Sequence, residues 1–84
     1  MPRSVFTDEY ERFRHLLIEA RKKSDLSQLA LARKLSKPQS FVSKYERGER
    51  RLDVNEFGQV ARALDIDPLK FLKRVYEIAR GGSS

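Results

Sequence analysis

Apolar residues recur at three- and four-residue intervals along most of the chain, and no stretch alternates at period two between turn dipeptides. This spacing predicts five short helices and no sheet. Thr7 is placed to cap the first helix, with Asp8 and Glu9 at the positive end of its dipole, and the helix is expected to run to about Lys23. Tyr10, Phe13, Leu17 and Ala20 form its apolar stripe, with Leu16 at the edge. Ser27 then caps a second helix in which Leu31, Ala32 and Leu35 face inward and which ends near Ser36. Pro38 suits the first turn of a third helix, where the missing N–H has no partner in any case. Val42 and Tyr45 form its buried side and Gly48 its stop.

Asp53 and Glu56 have capping-box spacing and open a fourth helix, with Phe57, Val60, Ala61 and Leu64 on one face. Asp67 and Pro68 announce a fifth, expected to reach about Arg80, with Gly81 as terminator. The chain therefore reads as one all-α domain over residues 7–80, a five-helix bundle, with an arm over 1–6 and a tail over 81–84. A length of 84 residues allows one core, and without cysteine neither a disulfide nor a thiolate metal site can reinforce it.

The same absence excludes a cysteine nucleophile. There is one histidine, no glycine-rich phosphate loop and no HExxH spacing, so neither an enzyme nor a metal or cofactor site is expected. His15 lies off the helix 1 stripe and reads as a solvated residue. No apolar run approaches the roughly 20 residues of a membrane span, and the first residues are too polar for a secretory signal, so a cytoplasmic location is expected.

Charge adds a direction. The net charge is +6, and the stretch from Arg33 to Arg51 holds seven basic residues (Arg33, Lys34, Lys37, Lys44, Arg47, Arg50, Arg51) against Glu46 and Glu49. So localised a charge suits a nucleic-acid face. Helix 2, the turn at Ser36 to Lys37 and helix 3 have the anatomy of a helix-turn-helix, in which the second helix enters a major groove about 12 Å wide. With Val42 turned inward, Ser40, Ser43, Lys44 and Arg47 point outward together and Gln39 stands at their border.

Leu26-Ser27-Gln28, Leu31-Ala32, Leu35 and the run from Gln39 to Gly48, with Glu46 and Gly48 two apart, resemble the lambda repressor and Cro-like, or XRE, family. The resemblance spans about Arg12 to Leu72. It implies a compact five-helix lambda-repressor-like bundle that binds double-stranded DNA. It also implies roles: Gln39, Ser40, Ser43 and Lys44 at base edges; Gln28, Lys37, Arg47, Arg50 and Arg51 at the DNA backbone; Gln28 bracing Gln39; and an ion pair between Arg21 and Glu46.

Several positions depart from the family pattern. Ser36 and Lys37 replace the usual glycine and apolar residue of the turn, and Pro38 replaces a hydroxyl cap. Ser36 is thus an alternative cap of helix 3, with Gln39 reaching back to it instead of to a base. Phe41 falls either at the core edge or against a thymine methyl. Arg50 and Arg51 are either a flexible basic loop or phosphate contacts, and Arg3 is a weaker minor-groove candidate.

On helix 5, Leu69, Leu72, Val75, Tyr76 and Ala79 make a stripe that Phe71 and Ile78 widen. Either this is a broad core face or Phe71, Val75 and Ile78 form a two-fold interface. The second implies a homodimer on a palindromic operator. A competing expectation is a protein-interaction module, such as the DNA-binding partner of a toxin.

Overall fold

Each of the four interhelical junctions turns on one residue with left-handed backbone: Asp25 (φ 59°), Ser36 (58°), Gly48 (82°) and Asp65 (58°). The computed structural model describes residues 8–81, with side chains to residue 77. Within it α1 spans Asp8–Lys23, α2 Gln28–Leu35, α3 Gln39–Glu46, α4 Val54–Ala63 and α5 Pro68–Gly81. The expected arm over 1–6 with Arg3, the Thr7 cap, the side chain of Ile78 and residues 82–84 lie outside the described residues.

The four junctions share one hydrogen-bond pattern. The N–H of each left-handed residue bonds the carbonyl three back, and the next N–H bonds five back: Leu26 to Arg21, Lys37 to Ala32, Glu49 to Lys44 and Ile66 to Ala61. This Schellman closure satisfies carbonyls that a helix end otherwise leaves exposed. Helix starts follow the polar side chains. Ser27 Oγ accepts from Ala30 N at 3.0 Å, and Asp53 and Glu56 form a reciprocal box at 2.7 and 2.9 Å. Asp67 Oδ1 accepts from Leu69 N and Lys70 N at 3.0 and 3.3 Å.

Two expectations about α3 are corrected. Pro38 is its N-cap, extended and without a side-chain bond, and not its first helical residue. Ser36 does not cap α3, because its left-handed conformation closes α2. The residue before a proline is pushed out of the helical region, so Lys37 cannot continue either helix and the turn is completed in three residues, Ser36 to Pro38.

The core draws on every helix. Leu17, Leu31, Ala32, Val42 and Val60 are fully buried, with Leu16, Phe41, Tyr45, Phe57, Ala61, Leu64, Phe71 and Val75 around them. Leu16, read as the edge of the α1 stripe, is a core residue. Phe13, Phe57 and Phe71 bring α1, α4 and α5 together through ring contacts at 5.2, 5.6 and 5.9 Å.

This aromatic contact also sets the rotation of α5 and removes two of its three interface candidates. Phe71 and Val75 lie inside the protein's own core at 7% and 2% exposure, so neither is available to a second copy. Leu69 and Tyr76, read as part of the same apolar stripe, are 77% and 50% exposed. Among the described residues no helix is long and apolar enough to cross a membrane.

Gly48 gives a test of the junctions. A Cβ there meets only the Arg14 side chain at 3.5 Å, an ordinary contact, so the cost of Gly48→Ala comes from the backbone. The substitution is expected to lower stability by about 1 kcal/mol in urea denaturation.

Candidate nucleic-acid interface

α2 and α3 pack together, with the turn at Ser36 to Pro38 between them and α1 behind. The inward side of α3 is Phe41, Val42, Tyr45 and Glu46, all buried. Its outward side carries Gln39, Ser40, Lys44 and Arg47, exposed, and Ser43, half-buried with its hydroxyl donating to the Ser40 carbonyl at 3.3 Å. A polar, basic helix face without an apolar anchor suits hydrated edges and phosphates.

Glu46 joins this face to the rest of the protein. Its carboxylate accepts from Arg21 Nε at 2.7 Å, Arg21 Nη2 at 3.1 Å and Gln28 Nε2 at 2.8 Å. Arg21 also donates to the Leu26 carbonyl at 2.8 Å, and the Glu46 carboxylate raises the affinity of its guanidinium for its proton. Gln28, with its amide nitrogen turned to Glu46, presents Oε1 to Gln39 Nε2 at 3.5 Å. A line of contacts thus runs Arg21, Glu46, Gln28, Gln39. Burial pushes the neighbouring Tyr45 phenol up, so it remains protonated.

Arg14 is a participant that sequence reasoning missed. It donates from Nη1 to the Glu46 carbonyl at the end of α3 and from Nη2 to Glu11 Oε1 at 2.6 Å. A cation bonded to a last-turn carbonyl also favours the negative end of the helix dipole. The available signal was its spacing: Arg14 stands seven residues before Arg21, two turns along the same face of α1. His15 is exposed, its Nε2 lying 3.2 Å from Arg14 Nη2.

The opposite border of the face is built on Phe41, a buried core-edge residue. Lys37 Nζ lies 5.2 Å and the Arg50 guanidinium 4.8 Å from its ring centre, both within cation–π range. Arg50 donates from both Nη atoms to Glu56, at 3.0 and 2.7 Å. Glu56, read from sequence only as a cap, is therefore also the partner of a loop arginine. Arg50 and the Asp53 N–H together draw its pKa down to about 2.

Arg51 turns away and lies 4.4 Å over the Tyr10 ring of α1, so the two loop arginines occupy different surroundings. Arg47 pairs with Glu49 at 3.0 Å on the exposed surface. A cleft of about 370 Å³ beside the turn, lined by Lys34, Lys37, Gln59 and Arg62, extends the positive surface toward α4. Among the described residues no cluster of three or more His, Cys, Asp or Glu is placed to hold a metal ion.

Two measurements check this construction. Arg21→Met strands the buried Glu46 charge and is expected to cost about 3 kcal/mol in urea denaturation, while Arg21→Met with Glu46→Leu costs less than the two single changes combined. The lowered Glu56 pKa stabilises the fold above the ordinary value of 4.5, and that contribution is lost as pH falls from 4.5 toward 2. Glu56→Gln is expected to flatten the acid limb of the stability profile across this window, followed by helical circular dichroism.

The helix-turn-helix family model matches residues 17–71. A solved structure described as an XRE-family like protein from Pseudomonas syringae pv. tomato is 43% identical, with 83% of this chain and 85% of that one covered and a TM-score of 0.80. No curated protein matches the chain significantly. The matched region contains α2, α3 and α4 whole, the Glu46 contacts from Arg21 and Gln28, and the Arg50–Glu56 pair. The chain belongs to the XRE family of helix-turn-helix proteins and is a DNA-binding regulator.

Proposed function

We propose that this regulator binds a palindromic operator as a homodimer, with α3 in the major groove of each half-site. The observation that carries the reading is the outward face of α3, five polar or basic residues bordered by Gln28 on one side and Lys37 and Arg50 on the other. Gln39, Ser40, Ser43 and Lys44 read base edges. Gln28, Lys37 and Arg47 meet phosphates, while Arg50 and Arg51, expected at the backbone, are engaged by Glu56 and by the Tyr10 ring, and the protein acts in the cytoplasm on duplex DNA.

The contacts behind Gln39 support a particular reading at its base. Glu46 accepts only, so it holds the Gln28 amide nitrogen inward and the Gln28 oxygen toward Gln39. Gln39 then spends one N–H on Gln28 and keeps its oxygen and second N–H for a base. That pair of groups matches N6 and N7 of adenine. Lys44, exposed and one turn further along the outward side, is placed for a guanine edge.

An open groove of about 380 Å³ lined in part by Tyr10, Phe13, Leu52, Val54, Leu72 and Tyr76 supports association of two copies. Val54 and Leu69, 86% and 77% exposed, are apolar surface that a second copy would remove from water. A two-fold arrangement sets the recognition helices about 34 Å apart, one turn of DNA. The same apolar surface favours the second reading, a protein partner such as the toxin of a pair. Sedimentation of the purified chain separates them, a dimer at micromolar concentration supporting the first and a monomer the second.

Selection from a random duplex library is expected to yield a palindrome, and an unenriched library overturns the proposal. Lys44→Ala is expected to cost about 1–3 kcal/mol on the selected site and to relax preference at one position per half-site. Arg47→Ala is expected to weaken all duplexes alike. With about 6–10 phosphates neutralised per dimer, affinity should fall on the order of a thousandfold between 50 and 200 mM salt.

A further inference from the structure

Arginines 47 and 50 stand at the same end of α3, and acids hold them in different ways. The Arg47–Glu49 pair is exposed on both sides, 59% and 52%, and such pairs exchange readily with water and with other ions. Arg50 is gripped. Its two Nη atoms reach separate oxygens of Glu56, Nη1 also bonds the Arg51 carbonyl at 3.1 Å, and its guanidinium lies on the Phe41 ring. Glu56 is itself anchored, since its side chain is 17% exposed and closes the α4 capping box by accepting from Asp53 N.

Two oxygens of a planar anion received by the guanidinium fork are also the way arginine receives a phosphate. Phe41, under Arg50, borders the outward face of α3 on the Lys44 side, so Arg50 stands at the rim of the surface assigned to DNA. An incoming phosphate would meet a guanidinium whose fork is taken and whose charge is already balanced by a carboxylate that the α4 capping box also holds.

We propose that Glu56 is an internal stand-in for a DNA phosphate: it occupies the Arg50 fork and cancels its charge, lowering sequence-independent affinity for duplex while base contacts from α3 are untouched. The proposal rests on the reading of α3 as the DNA-binding face. Glu56 acts through Arg50 and touches no DNA, so it is a positioning residue that sets the balance between phosphate attraction and base recognition. A cation already compensated within the protein displaces fewer counterions when it meets the backbone, so its signature is in the salt dependence.

The test measures anisotropy of a labelled selected duplex and of a scrambled one from 50 to 300 mM salt. Glu56→Gln keeps the length of the side chain and a carbonyl for Asp53 and Arg50 while removing the charge. It is expected to tighten scrambled-duplex binding about threefold to tenfold at low salt and to steepen the slope of log affinity against log salt by about 0.9 per protomer. Arg50→Ala alone leaves the Glu56 charge uncompensated and is expected to weaken both duplexes, whereas Arg50→Ala in the Glu56→Gln background should abolish the whole gain and return the slope to within about 0.3 of the natural chain's.

An unchanged or shallower slope in a folded Glu56→Gln protein overturns the proposal. Should that variant fail to fold, the chain carrying both Arg50→Ala and Glu56→Gln decides: a slope within about 0.3 of the natural one supports the proposal, and a loss of about 0.9 would show Arg50 to be a full phosphate cation in the natural chain. A natural chain that binds neither duplex overturns the DNA-binding reading itself, an outcome distinct from an unchanged slope.

Discussion

A carboxylate with 5% of its surface exposed must be compensated or it destabilises the fold, and the compensation of Glu46 organises the half of the protein that meets DNA. Arg21 comes to it from α1 and Gln28 from the start of α2, while Arg14, two turns of α1 further back on the same face, takes the carbonyl of the same residue. Three helices are thereby referred to one point at the end of α3. Apolar burial, with Leu31, Ala32 and Val42 fully buried, supplies most of the stability, yet that driving force is non-directional, whereas hydrogen bonds require a set geometry. The interaction therefore defines the orientation of the recognition helix more than it adds to its stability.

Charge around α3 is arranged in three degrees. Glu46 is buried and holds residues in place, Glu56 is half-buried and holds an arginine at the rim, and Glu49 lies in an exposed pair with Arg47. Lys44, Lys37, Lys34 and Arg33 extend the exposed positive surface on and beside the turn. A net charge on the whole chain thus overstates what is available to DNA, because some of the cations are already committed to acids or aromatic rings.

The element order was legible because capping and periodicity agree. Ser27, Asp53 and Asp67 start helices where their side chains accept backbone N–H groups, and Phe57, Val60, Ala61 and Leu64 recur on one buried face. The ends were less so. Gly48 announced its left-handed position, whereas Asp25, Ser36 and Asp65 take the same conformation without a glycine, so three of four Schellman closures carried no plain signal. Asp tolerates that region better than most residues, and Ser36 adopts it where Pro38 prevents α2 from running on.

The local rules of the chain were sufficient for five helices, for a basic segment centred on the third, and for the outward placement of Gln39, Ser40, Lys44 and Arg47, since each depends on neighbours within a turn or two. Rotation of α5 was beyond them: its apolar residues cover more than half the helix circumference, and only the Phe13, Phe57 and Phe71 rings select Phe71 and Val75 for the core over Leu69 and Tyr76. The pairing of charges was likewise a tertiary matter. Arg14 meets the Glu46 carbonyl across thirty-two residues, and Arg50 reaches Glu56 because the loop folds over Phe41, distances that no periodicity within one helix encodes.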